Sequence, residues 1–521
     1  MRDDWKVVID QWANRIPLPK RCILIASLLY GRGYPEEARD LYNKARKGYS
    51  ISGDRAELAA TLQHQGIIER RAGNLSEAKK LLEDSLCVFR ALEFRPGIAD
   101  VQAELAHVER DAGKYDDAFR LYDQARGIYQ ELGDEPRKAG VLQSMAIVEM
   151  NRGHLDRARE LCDEARSVFH ELGKLLELAN TLGIVADIEQ HTGNYDEARS
   201  LYGQALHIFE KLQDQTGIAA ILHRRGMMEH RVGNYHEAKR LYNESLEARR
   251  RLEDQSGTAA TLGQLALIEK HKGNFDEASR LWTQAKGIYE QVGEPAGLAG
   301  TLHNLALIER IRGDYDEARK LYLQSLEIKR RLGDQAGQAG TLHELANIEC
   351  LRGSWGEAER LFGESLETRR KLGDKAGIAE TLHGLALIEQ KRGNDKQAEK
   401  LYNESLDLKR GLRDEAGISG ILHNLAVMER KRGHHDNADR LCRESLEKRR
   451  KLGDQRGIAQ SLGLLGSLSE ETGRLEQAES LVLEAREIFT RIGDKPGQEE
   501  ALRHLDRIRE KLEAEKSGGE P

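Results

Sequence analysis

Five histidines, His223, His303, His343, His383 and His423, fall at one position of a forty-residue period. Imidazole is a common metal ligand and a ready hydrogen-bonding group near neutral pH. Packed helices stand about 8–10 Å apart, while zinc–imidazole bonds are about 2 Å. Neighbouring members of the column therefore cannot share one ion, and no metal or other cofactor is expected. The column reads as polar surface that packs against its neighbours, with ligand contact as the alternative.

Ten glutamates form a second column, from Glu69 and Glu109 through Glu309 to Glu429. Carboxylates can act as general acids and bases, but ten equivalent copies do not describe an active site. Each lies on the apolar stripe of its helix, so its carboxylate is partly buried and must be paired. Two kinds of donor are available. One is the set of free N–H groups at the start of the next helix, whose dipole also favours negative charge. The other is an Arg or Lys of a neighbouring repeat. We assign this ladder a structural role.

A third column changes its chemistry along the chain. It is Tyr49, Phe89, Tyr129, Phe169 and Phe209 early on, then becomes Arg249, Lys329, Arg369, Lys409 and Arg449, with Tyr289 interposed. Arg250, Arg330, Arg370, Arg410 and Arg450 follow directly. Cations suit a helix C-terminus, and their stems can lie over apolar surface. The alternative is a positive strip that docks an acidic protein tail or RNA. Aromatic residues do not interleave with it as single-strand binding would require, so nucleic acid ranks behind protein as a partner. The chain has no glycine-rich phosphate loop, nucleophile elbow or HExxH. It is not expected to be an enzyme.

The elements that carry these columns repeat without insertion or deletion. A glycine recurs every forty residues from Gly33 to Gly473, an alanine from Ala38 to Ala478, and a leucine from Leu41 to Leu481. Such a period predicts a solenoid whose units bury their apolar faces only by stacking. In Thr301–Gly340, Leu302, Leu305, Ala306 and Glu309 share one helical face. Gly313 ends that helix, and Asp314 or Asp316 caps the next. Ala318, Leu321, Tyr322, Ser325, Leu326 and Ile328 form the second helix's buried stripe, and Leu332-Gly333-Asp334 closes the unit. The pattern predicts an all-α chain of about 26 helices.

Leu302, Leu305-Ala306, Gly313-Asp314-Tyr315, Ala318, Tyr322 and Ser325 resemble the tetratricopeptide-repeat (TPR) pattern. The chain is similar to its long-repeat class, found in kinesin light chains, in the polarity adaptor LGN and in bacterial and archaeal signalling proteins. The shorter family form ends its second helix with proline. Here the helix runs on through Lys329-Arg330-Arg331-Leu332 to a Gly-Asp turn. The resemblance implies a TPR solenoid, a right-handed superhelix with a concave groove that binds a protein or peptide. It places the histidine column in that groove, together with Arg224, Asn304, Arg310, Glu344, Asn347, Asn424 and Arg430. That mixture suits a peptide backbone or acidic side chains. Scaffold or adaptor is the first reading. A peptide-sensing regulator is the second, and a nucleic-acid-associated regulator using the basic strip of repeats six to eleven is the third.

The boundaries expected are a capping helix over 1–17, twelve repeats over 18–494, a capping helix over 495–514 and a disordered tail over 515–521. Trp5, Val8, Trp12 and Ile16 give the first cap its stripe, and Leu502, Leu505, Ile508 and Leu512 the last. The net charge of −7 offers no global case for nucleic acid. Five cysteines without a CxxC pair, no signal-peptide pattern and no long apolar run lead us to expect a cytoplasmic protein that does not enter the membrane.

Overall fold

The computed structural model describes residues 18–31 and 35–517. Twenty-five α-helices and no strand occur among them. Twenty-four pair into twelve hairpins, from Leu18–Gly31 with Pro35–Ser52 to Gln455–Glu471 with Leu475–Arg491. The twenty-fifth is Lys495–Ser517. The helix expected over 1–17 lies outside the described residues. The chain divides into two compact units, Met1–Asp334 and Gln335–Pro521.

Hairpin 8, Pro295–Arg312 with Tyr315–Leu332, shows why each unit folds. Gly313 turns the chain at φ +86°, in the left-handed region that glycine enters at little cost. The Asp314 side chain accepts the Glu317 backbone N–H at 3.0 Å and starts the second helix. Ala318 is fully buried and lets the two helices approach. Ser325 Oγ donates to the Ala299 carbonyl at 2.8 Å, across the same close contact. This bond recurs wherever the column is serine, as at Ser85, Ser245, Ser365, Ser405 and Ser445. The small column therefore ties the two helices together as well as admitting them.

Helices two apart in sequence also touch, and the contacting pairs join first helices of successive hairpins. Arg55–Arg71 meets Arg95–Asp111 in this way, and Glu415–Lys431 meets Gln455–Glu471. First helices thus stand closer together than second helices, so each stack bends toward its first-helix face.

The first unit also touches itself at long range. A Cβ added to Gly73, in the turn of hairpin 2 (Arg55–Arg71, Leu75–Ala91), would stand 2.5 Å from Leu332 Cδ2 and 3.4 Å from Pro295 Cγ. Both partners belong to hairpin 8. The equivalents of Leu332, including Leu92, Leu132, Leu372 and Leu452, are exposed, whereas Leu332 is half-buried.

The last helix covers hairpin 12 with Ala501, Leu505 and Ile508, all buried, while Leu512 packs at the edge. Leu502, expected in that stripe, is exposed because the register turns Ala501 inward. The helix runs through Ser517, beyond the expected end at 514.

Candidate functional site

The glutamate ladder consumes its own charge. Glu229 accepts Arg199 Nε at 2.8 Å from the preceding hairpin and Asn234 Nδ2 at 2.7 Å from its own turn. Arg39, Lys79, Arg159 and Lys239 serve Glu69, Glu109, Glu189 and Glu269 from the same place. Where that place holds Phe119, Ser279, Glu359 or Glu399, an arginine three residues beyond the glutamate takes over. Arg152, Arg312, Arg392 and Arg432 then reach Glu149, Glu309, Glu389 and Glu429 at 2.7 to 3.1 Å. The expected backbone N–H donors are not used. The N–H groups of the turn bond within it, and asparagine or histidine side chains bind the carboxylate instead. Arg199 and the Asn234 amide hold the Glu229 carboxyl below the usual range against the opposing effect of burial. In hairpin 12 the acid is Glu470, which gathers His504, Arg507 and Lys511 of the last helix.

The histidine column sits half-buried on the first-helix face. His223, His303, His343 and His383 pack on Tyr242, Tyr322, Phe362 and Tyr402 of their own hairpins, with ring centroids 5.1 to 5.6 Å apart. Burial pushes all five imidazoles down to about 4, so they are neutral near pH 7. The next cause in each case is a cation of the third column: Arg249, Lys329, Arg369, Lys409 and Arg449 respectively.

This explains why the two columns change together. The cations of the third column are drawn into the interior, and Arg369, Lys409 and Arg449 are buried. Each lies where earlier hairpins place an aromatic ring, over the third residue of the next first helix. A Cβ at Gly97 would stand 2.9 Å from Phe89 Cδ1, and one at Gly457 would stand 2.8 Å from Arg449 Cδ. Arg369 Nη1 donates to the Gly377 carbonyl and, at 2.9 Å, to Thr381 Oγ1. Thr381 Oγ1 is in turn 3.4 Å from His343 Nδ1. Arg449 does the same with Gly457 and Ser461. Lys409 pairs with Asp414 at 2.6 Å. In hairpin 9, His343 and Arg369 are thus two ends of one hydrogen-bonded network.

The expected basic strip is therefore not one surface. Arg249 and Lys329 are half-buried, and the other three of their column are sealed in. Arg250, Arg330, Arg370, Arg410 and Arg450 are exposed on second helices. Arg370 and Arg450 reach Glu404 and Glu484 of the following hairpins at 3.3 Å, and Arg410 stands 3.9 Å from Asp407.

The remaining first-helix residues differ in what they have left to offer. Arg224 Nε reaches Asp187 at 3.3 Å and its guanidinium lies 6.0 Å from the Tyr202 ring centroid, so it is already engaged. Asn424 Nδ2 is 2.8 Å from His383 Nε2, and Arg430 stands 3.5 Å from Glu471. Arg310 and Glu344 are half-buried. Asn304 and Asn347 are half-buried, and their side chains make no hydrogen bond among the described residues. Sequence reasoning did not single out the exposed aliphatic residues of the same face: Met227, Ile311, Leu351 and Leu387. Ile311 and Leu351 had a signal, since their column is polar from Arg71 to His271, whereas the column of Met227 and Leu387 is already apolar at Ile67 and Ile147.

A furrow of about 540 Å³ opens elsewhere, between Leu155–Glu171 and Tyr195–Lys211, over Leu178 and Leu182. No cluster of three or more metal-ligating side chains occurs among the described residues. None of their helices is long and apolar enough to cross a membrane.

Among solved structures, the chain is similar to the apo form of the quorum sensor NprR from B. thuringiensis. The TM-score is 0.49 and the identity 16%, over 66% of this chain and 98% of that one. Aspartyl phosphate phosphatase F from Bacillus subtilis gives 0.47 and 13%, over 67% and 93%. BtubC (BKLC) from P. vanneervenii gives 0.37 and 21%, over 42% and 90%. No curated protein matches the chain. The family model described as tetratricopeptide repeat matches residues 21–91, 137–211, 217–291, 337–411 and 417–491, and a second model of that description matches 98–132 and 298–334. With most of its length matched and twelve hairpins of the expected build, the chain belongs to the tetratricopeptide-repeat family.

Proposed function

We propose that the chain is a binding scaffold whose first-helix face takes a protein or peptide. One observation carries this reading. Asn304 and Asn347 each present a half-buried amide, with donors and an acceptor, that no hydrogen bond within the described residues uses. Such a group costs little in water and gains a partner when a peptide backbone is laid beside it. By contrast, most carboxylates of the glutamate ladder are held by a cation. A peptide-sensing role is a special case in which the bound segment is itself the signal. The buried and paired cations described above give the nucleic-acid reading no support.

Selection of binders from a displayed random-peptide library against the full chain tests the proposal. Binders to the first-helix face of the first unit should lose affinity about fivefold or more on Asn304→Ala, and binders to that of the second unit on Asn347→Ala, the loss of one or two hydrogen bonds. They should be indifferent to Arg370→Glu on a second helix. Binders that respond only to second-helix changes would overturn it.

A further inference from the structure

Hairpins 9, 10 and 11 have as first helices Gln335–Leu351, Lys375–Arg392 and Glu415–Lys431. Two features of this face are not needed by the array. Leu351 is 53% exposed and Leu387 39% exposed, on consecutive first helices. Burying such side chains is worth roughly 1.5–3 kcal/mol each, and nothing in the array collects it. Lys391 and Lys431 are exposed at one position of consecutive first helices. Neither has a carboxylate within ion-pair distance among the described residues, whereas Arg392, Arg430 and Arg432 beside them do. A helix C-terminus welcomes a cation, but that does not account for the missing acid. The nearby acids are taken: Glu389 by Arg392, Glu429 by Arg432 and His434, and Glu471 by Arg430 and His435.

We infer that the first-helix face of hairpins 9 to 11 takes an acidic chain segment bearing aliphatic side chains. Leu351 and Leu387 receive the aliphatic groups, Asn347 pairs with the backbone, and Lys391 and Lys431 meet the carboxylates along one edge. The neutral histidines His343 and His383 add no charge of their own there. This reading rests on the scaffold proposal and adds the chemistry of the partner. It also relocates the positive edge from the second helices, where Arg370 and Arg450 are paired and Arg369, Lys409 and Arg449 are buried, to the ends of the first helices.

Fluorescence anisotropy on the full chain tests it with three labelled peptides of equal length: one of Glu and Leu, one of Lys and Leu, and one of Glu and Ser. The Glu–Leu peptide should bind best. Its affinity should fall about tenfold between low and high salt, and about tenfold on combined Lys391→Glu and Lys431→Glu. Leu351→Ser with Leu387→Ser should reduce it by a similar factor, while Arg370→Glu with Arg450→Glu should not. All substituted residues are exposed, and unchanged circular dichroism would confirm folding. Equal binding of the Lys–Leu peptide, equal binding of the Glu–Ser peptide, no binding of the Glu–Leu peptide, or indifference to the lysine reversal would each overturn the inference. If another peptide binds and still depends on Asn347, the scaffold proposal stands and only the assigned chemistry fails.

Discussion

The first-helix face of hairpins 2 to 5 and that of hairpins 9 to 11 are built from the same columns, yet they present different surfaces. In the early hairpins, charge on the face is closed on itself. Arg70 binds Asp111 at 2.7 Å, Arg110 shares the same acid at 2.8 Å, and Asp187 is held by Arg224. Tyr122 bonds His107 at 2.5 Å, and Gln143 bonds Thr181. In the later hairpins lysines stand without acids, leucines stand in solvent, and an asparagine lacks a partner. Behind the face the contrast reverses. Aromatic rings fill the late part of the second helix early on, and hydrogen-bonded cations fill it later. An array can thus keep its backbone period while exchanging where its polar groups are satisfied. Cations moved inward are fixed by carbonyls and hydroxyls, and the open surface is left to residues the stack does not need.

The largest effect should come from the buried cations. Arg449→Ala removes two hydrogen bonds and leaves a cavity over Gly457. We expect a loss of about 3 kcal/mol in denaturant unfolding. Arg449→Phe restores the side chain that Phe209 and Phe489 place at this column. It should cost clearly less than the alanine. If phenylalanine proved the worse of the two, the aromatic and cationic versions of the column would not be alternatives for one space.

Gly73 and Gly393 share a φ of +82° but not their surroundings. Gly393 has nothing within 4 Å of an added Cβ, whereas Gly73 faces Leu332 and Pro295. Gly393→Val should cost about 1–2 kcal/mol from backbone strain alone. Gly73→Val should cost about 1–2 kcal/mol more through overpacking. Equal melting temperatures for the two variants would show that hairpins 2 and 8 do not meet in solution.

Much of this was legible in the sequence because a forty-residue period samples each structural position twelve times. Hairpins, turn glycines, the small column and the structural role of the glutamates all follow from columns that barely vary. Positions whose partners lie one hairpin away are harder to read. Arg369 looks like surface charge at a helix end until the glycine eight residues on is known to lie beneath it. The link between Leu332 and Gly73 has no sequence signature, since contact between hairpins six apart depends on curvature summed over many small packing angles. The two columns that coincide in hairpins 6 and 8 to 11 were visible, but that each cation lies behind its histidine, and at His343 is joined to it through Thr381 of the next hairpin, was not.

The glutamate ladder offers a finer test, since its cation comes from either of two places. Arg199→Ala should destabilise the array by about 1 kcal/mol, as it leaves Glu229 with Asn234 alone. Val232 occupies the position that Arg312 or Arg432 uses in other hairpins. Adding Val232→Arg should restore most of the loss. Without rescue, the two supply routes would not be equivalent, and the later hairpins could not be read as a rearranged version of the earlier ones.

The smallest effect is a separation in pH. His343, His383 and His423 are pushed down to about 4 in the folded chain, mainly by burial and then by the cation behind each. The unfolded value is about 6.5, so the unfolded chain takes up protons first as pH falls. Their contribution to stability is full above 6.5 and is lost progressively from there toward 4. Hairpins 2 to 5 hold one such histidine, His107, pushed down to about 3. The Glu429 carboxyl is also held low, so the ladder's contribution is lost only below the ordinary carboxylate range. Hydrogen exchange at pH 5.5 against pH 7.5 should therefore rise in the first helices of hairpins 9 to 11 before it rises in those of hairpins 2 to 5. His383→Gln should flatten the response around hairpin 10, because glutamine does not titrate. A uniform rise along the chain would assign the acid sensitivity to the glutamates, and the histidine–cation network would then be neutral in this range.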